Sequence, residues 1–471
     1  MIFNTFEFAL FFVIVLALYL ALSHRWQNRM LLVASYFFYG WWDWRFLSLL
    51  FLSTILDYFC GLIIAYSPSP RRRKTALVAS MVGNLTLLGV FKYFNFFVDS
   101  FRELLQSIGL PVPPGDLLHI VLPVGISFYT FQTMSYTIDI YRGRLQPTRR
   151  FLDFALFVTF FPQLVAGPIE RASNLLPQVL APRLLTREKV YDGAWLMYWG
   201  LYKKVFVADN LAPLVDRIYS APDEFSFTHI LIATYAFAMQ IYCDFSGYSD
   251  IARGAGKVMG FEIMLNFNLP YAAVNPSDFW RRWHLSLSQW LRDYLYIPLG
   301  GNRGTRSREY SNLMTTMTLG GLWHGASWHF VIWGIYHGLL LVGQRLIAPG
   351  RHKEPRPASR LGLAASMFAM FHLTCLGWIL FRVPSMGALG TFVRKFATDW
   401  SVSGPLYADA LELVFYSALV IVYQIYQYRK NDLMVVKRMP AWGRTLLYVL
   451  IYLSLVIGGS YEAKAFIYFQ F

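Results

Sequence analysis

The chain has 471 residues, of which 56% are hydrophobic and only 15% are charged, whereas soluble domains carry about 25% charged residues. That is too little charge to cover the surface of a soluble protein of this length, so the soluble class is excluded. The formal net charge is +15, but the basic residues form short clusters between apolar runs, which is typical of cytoplasmic membrane loops and speaks against nucleic-acid binding.

Apolar runs recur along the whole chain, and at about 20 residues per span they predict roughly 11–12 membrane crossings. The single-pass runs lie at 6–22, 30–42, 46–66, 76–98, 118–140, 190–209, 226–243, 361–381, 406–428 and 443–460. A further run at 311–346 is long enough for two passes, with a break at 323–327. The sequence therefore predicts an all-α, polytopic membrane protein with one domain over residues 1–471, its last helices lying in 361–471.

Residues 151–168 are too short for a simple crossing and have basic residues on both sides. The segment ends in a stretch containing Pro162, Gly167 and Pro168. Proline and glycine at membrane depth are tolerated where the backbone lines a cavity enclosed by protein. We therefore predict a re-entrant hairpin here.

Residues 275–303 have the pattern of an amphipathic helix that lies in the membrane interface. Asn275 is a good N-cap and Pro276 suits the first helical position. At 100° per residue the apolar side chains share one face, namely Phe279, Trp283, Leu287, Trp290, Leu291 and Tyr294. Arg281, Arg282, Ser288, Gln289, Arg292 and Asp293 share the other face.

His284 falls at the margin between these two faces. One interpretation is a boundary histidine that bonds to a neighbouring helix. The other is a polar group at the mouth of an internal cavity, where Arg281 and Arg282 attract an anionic substrate group such as phosphate. Arginines on an interfacial helix also bind lipid headgroups, so spacing alone leaves both interpretations open.

His324 lies in a strongly apolar run beside Gly320, Gly321 and Gly325. Small residues let helix backbones approach closely or break. Ionisable groups at membrane depth are costly and therefore tend to mark function, and histidine suits the role of general base near neutral pH. The alternative is a structural histidine between packed helices. We predict that His324 is the centre of the chemistry.

A metal site is not predicted. His329 and His337 follow His324 closely, but no HExxH spacing occurs and no carboxylate lies between 310 and 346 to complete a ligand set. Asp244 and Asp250 end the span at 226–243, and we expect them to cap a following helix or to shape the mouth of a cavity.

Three long motifs carry a resemblance to a known family. They are residues 278–288, 290–296 and 319–325, and shorter matches lie at 122–129, 161–168 and 242–250. Together they resemble the membrane-bound O-acyltransferase (MBOAT) family, in particular its bacterial, alginate O-acetylation (AlgI-like) branch. The most distinctive motifs lie within 120–345.

The resemblance implies re-entrant and interfacial helices around a central tunnel, in a bacterial inner-membrane protein. It implies transfer of an acyl group, usually acetyl, from a cytoplasmic thioester, which is acetyl-CoA or an acyl carrier protein, with no tightly bound cofactor. His324 matches the catalytic histidine and His284 the second histidine of the family motif, and Trp323, Arg281, Arg282, Asp293 and Asp244 are expected to bind substrate. A periplasmic, esterase-like partner would complete transfer to a polysaccharide.

Two rival classes remain. A transporter or flippase would use His324, Lys92 and Lys203 to line a pathway, although the paired broken helices of many transporters are not visible in the sequence. A structural subunit would leave all chemistry to its partner. Peptidoglycan is an alternative final acceptor.

Overall fold

The computed structural model describes residues 1–112, 120–165, 167–348, 359–402, 404–460 and 466–467. Within these ranges the chain forms helices, turns and loops, with no strand. The predicted all-α class is confirmed. The chain divides into two compact units, residues 1–193 with 255–264 and residues 194–254 with 265–471. A single domain over 1–471 stays a prediction, and each unit is described by itself.

Nine α-helices lie wholly within the described residues of the first unit. They are α1 (Phe6–Ala21), α2 (His24–Asp43), α3 (Leu47–Tyr66), α4 (Pro70–Leu88), α5 (Phe94–Ser107), α6 (Ile126–Tyr141), α7 (Phe151–Thr159), α8 (Phe161–Leu164) and α9 (Ala172–Leu180). Helices α3, α4 and α6 pack against one another around the buried Asp57, which accepts hydrogen bonds from Ser80 and Asn84. Helices α7 and α8 are too short to cross a membrane, and the re-entrant hairpin over residues 151–168 stays a prediction.

The remaining helices run from the end of the first unit through the second. They are α10 (Arg187–Leu201), α11 (Asp209–Ser220), α12 (Phe227–Val258), α13 (Pro276–Trp280), α14 (Leu285–Leu291), α15 (Arg306–His324), α16 (Trp328–Ile347), α17 (Arg360–Arg382), α18 (Met386–Thr398), α19 (Gly404–Lys430) and α20 (Ala441–Gly458). The interruption between α15 and α16 lies where the sequence predicted the break in the run 311–346.

Six helical stretches of the described chain are long and apolar enough to cross a membrane. They are His24–Tyr66, Pro70–Ser107, Trp328–Ile347, Arg360–Arg382, Gly404–Lys430 and Ala441–Gly458. The first comprises both α2 and α3, and the apolar run at the start of the chain forms the shorter α1. The protein is a multi-pass membrane protein, as predicted, and the larger predicted number of crossings stays a prediction.

The predicted amphipathic helix at 275–303 is not continuous, and in this respect the prediction was wrong. Asn275 caps α13 as expected, because its side chain accepts a hydrogen bond from the amide of Asp278 at 2.8 Å. The helix then stops and His284 adopts a left-handed conformation, with φ 44° and ψ 55°. A second helix, α14, begins at Leu285. All six predicted apolar-face residues are nevertheless buried within the protein, whereas the position of the segment in the membrane interface stays a prediction.

Helices α15 and α16 form a close hairpin because glycine lies where the two backbones meet. A Cβ atom on Gly321 would lie 2.2 Å from the carbonyl oxygen of Phe330 and 2.9 Å from the Cα atom of Gly334. At the neighbouring Gly320 a Cβ atom would meet only the Cδ1 atom of the Leu291 side chain, at 3.0 Å. The hairpin therefore needs glycine at 321 much more than at 320.

We expect Gly321→Ala to destabilise the protein by about 1–3 kcal/mol or more, because the added methyl group overlaps backbone atoms that cannot turn away. Gly320→Ala, the matched control, adds the same methyl group against a flexible leucine and should unfold near the wild-type midpoint. Thermal unfolding of both variants in detergent checks this expectation. Equal midpoints for the two variants would contradict it.

Candidate functional site

His324 is the last residue of α15, and its ring lies in the interior of the second unit. The helix ends there because Gly325 is extended, with φ −158° and ψ 153°. Only 3% of His324 is exposed. Its ring centroid lies 5.0 Å from that of Trp333 and 5.7 Å from that of Phe381. The predicted catalytic imidazole is thus surrounded by protein.

His284 lies close to His324, with 6.0 Å between the ring centroids. It is fully buried, at 0% exposure, so the prediction that it lies at the margin of a helix was wrong. The left-handed turn directs its ring inward, against Phe245 at 4.7 Å and Trp323 at 5.8 Å between centroids. Burial lowers the pKa of His284 to about 3, so the imidazole is neutral at pH 7.

Asn266 holds the turn that positions His284. Its carbonyl oxygen accepts a hydrogen bond from the amide of Leu285 at 2.9 Å. Its side-chain oxygen accepts from the hydroxyl of Ser286 at 2.9 Å, and its side-chain nitrogen donates to the hydroxyl of Ser249 at 3.1 Å. A left-handed conformation is uncommon outside glycine and persists when its surroundings fix it. Sequence reasoning missed Asn266, since nothing local links it to His284.

A cavity of about 470 Å³ lies beside this pair, lined by residues of α13 to α16 and the turn after α14. Three arginines line it, Arg281, Arg292 and Arg345, together with polar residues such as Ser288 and Gln289. Guanidinium groups match phosphate and carboxylate geometry in a bidentate manner. The cavity therefore combines anion-binding groups with the apolar faces of packed helices.

Neither His284 nor His324 lines this cavity, but two features connect the cavity to His324. Met317 lines the cavity and precedes His324 by seven residues on α15, which corresponds to about 10 Å along a helix. Trp280 also lines the cavity, and its ring centroid lies 5.8 Å from that of Trp333, which contacts His324. A short layer of aromatic side chains separates the cavity from the imidazole.

The predicted arginines differ in their surroundings. Arg281 is exposed and lines the cavity. Arg282 instead forms an ion pair with Asp278 at 3.0 Å and is not among the residues that line the cavity. Asp293 pairs with Arg292 at 2.7 Å. Of the predicted polar binding residues on this segment, Arg281 is therefore best placed to meet an anion.

The last two predicted binding residues lie in different places. The ring of Trp323 contacts both histidines, with 5.2 Å between its centroid and that of His324. Asp244 is buried in α12, and one of its carboxylate oxygens accepts a hydrogen bond from the amide of Ile467 at 2.7 Å. The carboxylate thus has partners within the protein.

A buried network of ion pairs surrounds Asp244, and the sequence analysis did not predict it. Lys204 contacts Asp209 at 2.8 Å and Asp244 at 2.7 Å. Lys203 contacts Asp250 at 2.7 Å. Both lysines lie in a π-helical turn, Tyr202–Ala208, which directs adjacent side chains inward. The available signal was the adjacent pair Lys203 and Lys204 within the apolar run 190–209, of which only Lys203 was assigned to a possible transport path.

Comparisons with known proteins show the family and several relatives of the chain. Residues 144–387 match the profile of the membrane-bound O-acyltransferase family. A protein of Azotobacter vinelandii described as a probable alginate O-acetylase, AlgI, is 44% identical over 404 residues, which cover 85% of this chain and 79% of that protein. The peptidoglycan O-acetyltransferase of Helicobacter pylori is 36% identical over 76% of this chain and 71% of its own length. The teichoic acid D-alanyltransferase of Bacillus subtilis is 28% identical over 57% and 70%, respectively.

The chain is therefore an O-acyltransferase and a multi-pass membrane protein. It belongs to the membrane-bound O-acyltransferase family, as its motifs predicted.

Proposed function

We propose that this protein transfers an acetyl group from a cytoplasmic thioester, across the inner membrane, toward a hydroxyl group of an exported polysaccharide such as alginate. The observation that carries the proposal is the pair of buried imidazoles, His284 and His324, 6.0 Å apart beside an arginine-lined cavity. Neutral imidazole is a suitable base for a hydroxyl group near pH 7.

The cavity is the proposed binding site of the donor. Acetyl-CoA and a carrier-bound acetyl group both present a phosphate-bearing arm that ends in a thioester. We assign Arg281 and Arg292, which line the cavity, to binding the phosphate groups, and the apolar wall formed by Trp280 and Met317 suits the arm. The thioester then has to pass the aromatic layer to reach His324, a distance of about 10 Å along α15.

The proposed chemistry is a direct acyl transfer. His324 accepts the proton of the acceptor hydroxyl while the hydroxyl oxygen bonds to the thioester carbonyl carbon. The carbonyl oxygen becomes an oxyanion. The oxyanion collapses, the carbon–sulfur bond breaks, and the leaving thiolate takes the proton from His324. His284 and Trp323 contact the His324 site, and we assign them to orienting the acceptor and the catalytic ring. The reaction needs no bound cofactor.

The final acceptor, which is the polymer that receives the acetyl group, is proposed from the relatives. The A. vinelandii relative is described as a probable alginate O-acetylase. Its 44% identity to this chain is higher than the 36% identity of the H. pylori peptidoglycan O-acetyltransferase. A periplasmic partner of the esterase-like kind would carry the acetyl group onward to the polymer. The H. pylori relative supports a second acceptor, peptidoglycan, with the same chemistry.

An assay in lipid vesicles tests the proposal. Purified protein is reconstituted, and acetyl-CoA labelled in the acetyl group is added with the periplasmic partner and alginate oligosaccharides. We expect release of free thiol and label on oligosaccharide hydroxyls, and protein-free vesicles serve as the control. Delivery of intact acetyl-CoA into the vesicle lumen without free thiol would instead establish a transporter and overturn the proposal. The same assay with peptidoglycan fragments in place of alginate oligosaccharides decides between the two acceptors, since label appears on the polymer that is acetylated.

A further inference from the structure

Trp333 has a buried polar group without a hydrogen-bond partner in the part of the chain that the structure describes. The indole is 1% exposed, and its Nε1 atom donates no hydrogen bond to any described residue. Leaving a buried donor unsatisfied costs about 1–3 kcal/mol. Such groups are rare in native proteins and call for an explanation, of which a role in the reaction is one.

A neighbouring tryptophan shows that the fold is able to satisfy a buried indole in this layer. Trp378 stacks with Trp333, at 6.3 Å between ring centroids and 17° between planes. It is equally buried, at 1% exposure. Its Nε1 atom donates to the hydroxyl oxygen of Tyr271 at 3.2 Å. The two indoles are thus equally buried, but only the N–H group of Trp378 has a partner among the described residues.

The position of Trp333 matches that of the missing element of the reaction. Its ring centroid lies 5.0 Å from that of His324. On the cavity side it lies 5.8 Å from that of Trp280, whose own Nε1 atom also has no partner among the described residues. A thioester that travels from the cavity to His324 therefore passes two indole rings, the second of them in contact with the ring of His324.

We propose that the Trp333 N–H group donates a hydrogen bond to the thioester carbonyl oxygen and stabilises the oxyanion that forms there. The inference rests on the proposed acyl transfer and adds its oxyanion donor. As the acceptor oxygen bonds to the carbonyl carbon, the carbonyl π electrons move onto the oxygen that Trp333 contacts. When the carbon–sulfur bond breaks, the electron pair on the oxyanion re-forms the carbonyl π bond, and the sulfur leaves as the thiolate. A donor fixed in place before the reaction stabilises this charge without reorganisation.

Trp333→Phe tests the proposal, because it removes the N–H group and keeps a ring in the aromatic layer. We expect kcat for acetyl transfer to fall by roughly 10²–10³-fold, as for removal of one oxyanion donor, with a nearly unchanged KM for the donor. Trp378→Phe is the matched control. It also removes one buried indole N–H group, and its kcat should stay within a few-fold of wild type. Equal kcat values for the two variants would overturn the proposal.

An infrared measurement decides the question independently of turnover. In the His324→Ala background the donor stays intact, and the stretching band of a ¹³C-labelled thioester carbonyl reports its hydrogen bonding. We expect a shift to lower frequency that disappears when Trp333→Phe is added. A band already at its apolar-solvent frequency in the His324→Ala protein would overturn the inference, even if the Trp333 variant fails to fold. Wild-type acetyl transfer by His324→Ala would instead refute the proposed function itself.

Discussion

Acetyl transfer by the His324→Ala variant is expected to fall by roughly 10²–10⁴-fold, the usual contribution of a positioned general base. The residual rate comes from the orientation of donor and acceptor, which the variant retains. The loss should appear in kcat rather than in the KM for the thioester, because the arginine-lined cavity lies about 10 Å away along α15. Thiol release and label on the acceptor, measured over time in vesicles, give both constants.

His329→Ala is the matched control for this variant. His329 lies five residues further along the chain, and its Nδ1 atom is hydrogen-bonded to the hydroxyl of Ser327 at 2.8 Å. His329 does not line the cavity, and its ring is not among those described above as contacting His324. Transfer by His329→Ala should therefore stay close to wild type. A comparable loss in both histidine variants would point to general damage and contradict the assignment of His324.

Replacement of Lys204 by methionine is expected to destabilise the fold by about 3–5 kcal/mol, because it leaves two buried carboxylates without their cation. The side chains of Lys204, Asp209 and Asp244 are each at most 3% exposed. Adding Asp209→Asn and Asp244→Asn should recover a large part of the loss, since the uncompensated charges are then gone. Thermal unfolding in detergent measures these differences.

Lys189→Met is the control for the lysine network. Lys189 lies 4.0 Å from Glu262, and both side chains are partly exposed, at 29% and 52%. Exposed pairs contribute only about 0–1 kcal/mol, so this variant should unfold near the wild-type midpoint. If Lys204→Met and Lys189→Met unfold at the same midpoint temperature, the buried network contributes no more than a surface pair, and its stabilising role is refuted.

The features that the sequence predicted are those encoded by local pattern. Runs of apolar residues predicted a multi-pass helical protein, and the glycines around His324 predicted the break between α15 and α16. Helical periodicity identified the buried face of the segment 275–303, and its motifs identified the family. In each case the signal lies within a few turns of the residues concerned.

The features that it did not predict depend on contacts between distant segments. The turn at His284 is fixed by Asn266, which belongs to a separate loop between α12 and α13. A helical wheel assumes one continuous helix, so it placed His284 at a margin. The pairing of Lys204 with Asp244 joins a π-helical turn to α12. Residue spacing in the sequence does not encode either contact.

The most direct test of the account is a structure of the protein with a non-hydrolysable thioether analogue of acetyl-CoA. We expect phosphate groups at Arg281 and Arg292, the acetyl carbonyl carbon beside His324, and the carbonyl oxygen within hydrogen-bonding reach of the Trp333 N–H group. An analogue whose acetyl end stays in the cavity beside Met317, with the aromatic layer closed above it, would contradict delivery of the donor to His324.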